Sequence, residues 1–158
     1  MPQEVTRQQV RRQVGLFLLA FGFLLALLGA KPEWFALSLA PTTVGFLQLL
    51  TFLVGLGFMA FGLYLRLLAA WETNGELPVR ADLGMRVAVT GYILVVIAAL
   101  ADILGLGSHP NPYEAYFGPW QYTGMLIGLG MMVMGYVAAW PWQRWIRRRE
   151  KRAGGKRE

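Results

Sequence analysis

Two stretches of the chain, offset by 73 positions, carry one pattern of glycines and a glutamine inside apolar sequence. Gly45, Gln48, Leu53, Gly55, Leu56, Gly57, Met59 and Gly62 recur as Gly118, Gln121, Leu126, Gly128, Leu129, Gly130, Met132 and Gly135, eight of eighteen aligned positions without a gap. A repeat in one register restricts the fold to two copies of a single unit. The unit reads as a helical hairpin, because each matched segment is preceded by a second apolar stretch of similar length.

The environment of those hairpins follows from composition. Of 158 residues, 56% are hydrophobic, 19 are glycine and the mean hydropathy is +0.44, more apolar sequence than one soluble core of this size can bury. A hydrocarbon core of about 30 Å takes roughly 20 apolar residues at about 1.5 Å each. Four stretches meet that length: Val14 to Ala30, Thr43 to Leu65, Val87 to Leu106 and Trp120 to Trp140. All are expected to be helices, since lipid gives the backbone no hydrogen-bond partners. A signal peptide is the competing reading of the first stretch. It is set aside because no small-residue cleavage site follows Ala30 and the duplicated hairpin needs its first helix.

The sequence therefore predicts an all-α integral membrane protein of four transmembrane helices. They form two tandem hairpins with pseudo-two-fold symmetry along the membrane normal, the parallel kind of internal repeat. Residues 1–13 are read as a cytoplasmic N-terminal segment, 14–70 as the first hairpin, 71–86 as a connector, 87–142 as the second hairpin and 143–158 as a basic tail. Basic residues set the orientation. Of 15 Lys and Arg, three precede the first helix, three flank the middle connection, eight follow the fourth helix and only Lys31 lies elsewhere. That bias places both termini and the middle loop in the cytoplasm of a cell (inner) membrane. Trp71, Trp140, Trp142 and Trp145 then lie at the inner headgroups, and Trp34, Tyr113, Tyr116, Trp120 and Tyr122 at the outer ones.

Small residues mark helix contacts in lipid, where association depends on close backbone approach. Gly55 and Gly62, and likewise Gly128 and Gly135, are seven apart and share a helical face; Gly124 adds a GxxxG step. The expected contact is a tight seam between the second and fourth helices, or a homodimer seam, against the plainer reading that membrane helices tolerate glycine. At the 73-residue offset the first and third helices agree little, so they have diverged or shifted register.

Polar residues inside apolar spans are the next candidates, because burying them in hydrocarbon is costly. Asp102 lies 16 residues beyond Arg86, roughly 24 Å along a helix and so near the outer interface. Gln48 and Gln121 enter from the same side. The three are expected to converge in a polar cluster; alternatively Asp102 reaches headgroup water and helps end the third helix.

The outer loop from Gly107 to Trp120 carries Pro110, Pro112, Pro119 and four aromatics, and reads as a lid or docking surface. His109 is the only histidine and there is no cysteine, so neither a bis-histidine haem nor a Cys/His zinc site fits one subunit. His109 is left as a weak candidate axial ligand to a porphyrin, and the expectation is no cofactor and no metal. At the inner face Trp142, Trp145, Arg147, Arg148 and Arg149 are expected to anchor the chain on anionic lipid. The tail has no folded nucleic-acid module, so nucleic acid is not an expected partner despite a pI near 10.1.

No catalytic constellation is legible: no Ser, His and Asp set, no cysteine nucleophile, no phosphate-binding glycine loop. The expected function is that of a non-catalytic accessory or structural subunit, packing through glycine-rich faces against other membrane subunits or itself. The alternative is a small oligomeric transporter or channel with its entrance at Asp102, Gln48 and Gln121.

Overall fold

The computed structural model describes residues 2–31, 46–71, 77–101, 104 and 119–142. The described residues form four helices: α1 (Pro2–Ala30), α2 (Phe46–Trp71), α3 (Val79–Ala99) and α4 (Pro119–Ala139). All four are long and apolar enough to cross a membrane. Their outward faces fit that solvent, since Leu47, Phe17, Met134 and Val133 lie more than three-fifths exposed with no charge among them. Apolar side chains in such positions find their favourable surroundings in lipid.

The third span differs from its expected limits. Val87 to Leu106 was the apolar window, whereas α3 runs from Val79 to Ala99, with Pro78 capping its start and Leu100 its end. Pro78 has φ of −63° and ψ of 141°, an extended conformation that cannot continue a helix backwards. The first turns tolerate their charges because Asp82 and Arg86, one turn apart, form an ion pair of 2.9 Å. Arg80 also donates from Nε to the Ala138 carbonyl at 3.0 Å. An apolar window misses this opening segment, whose ions are paired or bonded to backbone.

The glycines correct a second expectation. Gly55, Gly62, Gly128 and Gly135 do not form a seam between α2 and α4; they pack inside the hairpins. A Cβ at Gly62 would stand 2.7 Å from the Gly15 carbonyl oxygen, and one at Gly22 2.6 Å from that of Gly55. In the second hairpin a Cβ at Gly84 would stand 2.6 Å from the Gly135 oxygen, and one at Gly91 2.5 Å from that of Gly128. Each helix thus rests backbone on backbone against its hairpin partner, running antiparallel. Such contact is how helices associate where no water drives them together. Gly124 lies against the Ala98 methyl, 3.0 Å from a Cβ placed on it.

The paired glycines also settle the register of the first and third helices. Gly15 and Gly22 correspond to Gly84 and Gly91, an offset of 69, while Gly55 and Gly62 correspond to Gly128 and Gly135 at 73. From Gly22 to Gly55 is 55 − 22 = 33 positions and from Gly91 to Gly128 is 128 − 91 = 37, so the second hairpin holds four more residues between its helices. The register is shifted and the contact is kept.

Between the hairpins the contact is narrower and unlike on its two sides. α2 packs on α3, with no comparable contact between α1 and α4 among the described residues. The buried core is shared by α2, α3 and α4, with Leu67, Ala88, Val95 and Ala139 almost fully enclosed. Two tyrosines tie the second hairpin to α2: Tyr92 Oη donates to the Leu53 carbonyl at 3.2 Å and Tyr136 Oη to that of Ala60 at 2.8 Å. Trp71 Nε1 donates to the Ala139 carbonyl at 3.0 Å, which sets the C-terminal ends of α2 and α4 side by side.

Candidate functional site

Among the described residues α1 and α4 make no contact comparable to that of α2 with α3, so the bundle is open between them, beside α2. A groove of about 430 Å³ runs there. Its walls are Leu56, Met59, Ala60 and Leu63 of α2 and Leu129, Met132, Val133 and Tyr136 of α4. Each α4 residue stands 73 positions after an α2 residue of the opposite wall, so the groove is built from matching places of the two repeats. Leu19 of α1 borders it, and Trp140 and Trp142 stand at the end where α2 and α4 finish. Val133 and Val137 are exposed along its lip. Such a lining offers dispersion and apolar contact but almost no polar handle.

A second cavity, of about 440 Å³, lies at that same end against α1 and α2 and has the opposite chemistry. It is lined by Gln8, Gln9, Arg12, Gln13, Leu16 and Arg66. Neither Arg12 nor Arg66 is paired with a described carboxylate; the Asp82 pair belongs to Arg86. Gln8 spans from α1 to α2, its Nε2 donating to the Ala69 carbonyl at 2.7 Å. The stem of Arg66 crosses Gly15: a Cβ there would meet Arg66 Cγ at 2.8 Å. In the second hairpin the same place, against Gly84, is taken by Ala139, and Arg12 corresponds to Ala81. Both alanines are buried in the core. The two hairpins therefore share their glycine contacts and differ at this end, with two arginines in one and two alanines in the other.

Of the residues singled out by sequence, Gln48 is half-buried and Gln121 is 9% exposed. They sit at corresponding places in the first turns of α2 and α4, at the end of the bundle opposite the arginines. Asp102, the third member of the expected cluster, lies outside the described residues, and α3 ends before it. His109, Trp145, Arg147, Arg148 and Arg149 also lie outside them. Trp142 is described, half-exposed at the groove end, and donates from Nε1 to the Val137 carbonyl at 3.0 Å. Among the described residues no three His, Asp or Glu side chains gather as a metal site.

Three features escaped the sequence reading: the Arg12 and Arg66 cavity, the tyrosine ties and the glycines of α1 and α3. Aligning α1 with α3 at an offset of 69 would have exposed the last, since Val10-Arg11, Gly15 and Gly22 then match Val79-Arg80, Gly84 and Gly91. No protein-family model matches the chain, and no curated protein or solved structure matches it significantly.

Proposed function

We propose that the chain is a non-catalytic polytopic protein of the cell (inner) membrane, an accessory or structural subunit that packs beside another membrane protein or a second copy of itself. Its two hairpins are taken as like-oriented copies about an approximate two-fold axis along the membrane normal, with both termini cytoplasmic. The recurrence of glycine pairs in both hairpins supports the axis, and the fourteen basic residues at one end against Lys31 at the other support the orientation.

One observation carries the subunit reading. Gly57 and Gly130 are corresponding positions, and Gly57 is covered by Tyr92 of α3, whereas a Cβ at Gly130 would meet nothing within 4 Å. Gly130 thus leaves a strip of bare backbone on an exposed apolar face of α4, bordered by Ile127 and Met134. That is the surface on which another helix can come as close as α3 comes to α2. The glycines first expected to serve this purpose, Gly55, Gly62, Gly128 and Gly135, are engaged within the hairpins, so Gly130 is the partner-facing one. Purification in mild detergent should yield the chain with a partner membrane protein or as an oligomer, and Gly130→Leu should release it while leaving helix content unchanged. A chain that migrates alone and monodisperse in native membranes' extracts sinks the reading.

A transporter or channel is the second reading, favoured by Gln48 and Gln121 standing at matching places with Gln121 buried. It requires solute flux in liposomes that Gln121→Leu abolishes.

A further inference from the structure

The two cavities are neighbours on the same helix faces. Leu16 lines the polar one and Leu19, one turn on, borders the apolar one; Arg66 lines the polar one and Leu63, one turn back, walls the apolar one. Along α1 and α2 the lining of the cationic recess is thus followed, one turn on, by that of the apolar trench, although no residue lines both. Arg12 and Arg66 face one recess with no described carboxylate between them, and two like charges so placed draw an anion. Phosphate oxygens suit a guanidinium, while the Gln9 and Gln13 amides beside them suit glycerol hydroxyls and esters. The trench admits no polar group along its length, so what fills it beside that anion is hydrocarbon.

We propose that these two adjoining cavities together form a binding site for one anionic phospholipid, its phosphate held by Arg12 and Arg66 and an acyl chain laid in the groove between α2 and α4. The site is specific to the first repeat, because the second carries Ala81 and Ala139 where the first carries the two arginines. Trp140 and Trp142 close the groove at headgroup depth, where indole rings prefer to sit. The proposal uses no residue of the basic tail and rests only on placement in a bilayer; a chain with no protein partner would bind the lipid equally.

The test is native mass spectrometry of the full chain in mild detergent with equal amounts of phosphatidylglycerol and phosphatidylcholine. One phosphatidylglycerol should be retained in preference by about thirtyfold, as two cations at about 1 kcal/mol each near the headgroup imply. The R12Q/R66Q double variant should lose the preference, and Arg86→Gln, a charge on the other hairpin, should keep it. Val133→Trp, an exposed position on the groove lip, should weaken retention of either lipid by filling the trench. Circular dichroism and elution volume report whether each variant is folded, and the lipid competition on the native chain needs no variant. Equal retention of the two lipids by the native chain overturns the proposal, as does an undiminished preference in folded R12Q/R66Q. Full displacement of the lipid by inorganic phosphate would reduce the site to a headgroup pocket and also overturn it. Dimerisation that Val133→Trp abolishes and lipid does not affect would put a second copy in the groove instead.

Discussion

Gly57 and Gly130 occupy the same place in their repeats and do different work. The Tyr92 hydroxyl stands 2.6 Å from where a Cβ of Gly57 would be, while Gly130 is open. Gly57→Ala should therefore push Tyr92 off the Leu53 carbonyl, a loss of about 1 kcal/mol that offsets the helix-propensity gain of the added methyl. Gly130→Ala meets open space and keeps that gain, so the isolated chain should be more stable by up to about 1 kcal/mol. Thermal unfolding in detergent compares the two, and equal effects would refute the difference in environment. The tyrosine ties are likewise unequal between repeats, since Tyr92 and Tyr136 correspond to Phe23 and Leu63, which donate nothing. Tyr136→Phe should cost about 1 kcal/mol, the size of an interhelical hydrogen bond in a membrane, and Leu63→Met much less.

At the scale of elements, each hairpin is held by two glycine-on-glycine crossings a heptad apart. Gly22→Leu and Gly91→Leu place the same bulk at corresponding crossings, where carbonyl oxygens already lie within 2.6 Å of the Cβ position. Backbone cannot yield as a flexible side chain does, so both should open their hairpins and lower the unfolding midpoint by comparable amounts. A destabilisation confined to one of the two would show that the repeats do not share a packing rule. The opening of α3 is a separate case: Asp82→Asn removes the partner of Arg86 and should cost about 0.5 kcal/mol or less, because the pair is exposed. These element-level contacts were legible in part. The heptad spacing of Gly55 with Gly62 and Gly128 with Gly135 showed that a face was committed to close packing, but spacing on one helix does not say which neighbour takes that face.

At the scale of the whole molecule, the bundle is closed between α2 and α3 and open between α1 and α4. The ties between the hairpins, Tyr92 and Tyr136 to α2 and Trp71 to α4, all end on backbone carbonyls, while Arg80 ties α3 to α4 within the second hairpin. Orientation is testable at this scale because the native chain has no cysteine. Gln9→Cys and Lys31→Cys lie at opposite ends of α1, so an impermeant thiol reagent added outside intact cells should label the second and not the first. The reverse pattern would invert the proposed topology. Solvent-exposed charge at one end and a lipid-facing apolar girdle also predict that the chain aggregates in water and is monodisperse in detergent, as light scattering would show.

The class and number of helices were written in the sequence, because crossing hydrocarbon demands long uninterrupted apolar runs and those can be counted in one dimension. The recurring glycine pattern was written there too, in Gly45 to Gly62 and Gly118 to Gly135. Which surfaces meet was decided in three dimensions. The four additional residues between Gly91 and Gly128 hid the likeness of the glycine spacing in α1 and α3, and only the pairing of Gly15 with Gly62 and Gly84 with Gly135 showed it. The juxtaposition of Arg12 with Arg66, 54 positions apart in the chain (66 − 12 = 54), likewise depends on the antiparallel return of α2 beside α1. Periodicity assigns a residue to a face; the depth at which two faces cross, set by backbone contact at glycine, decides what that residue meets.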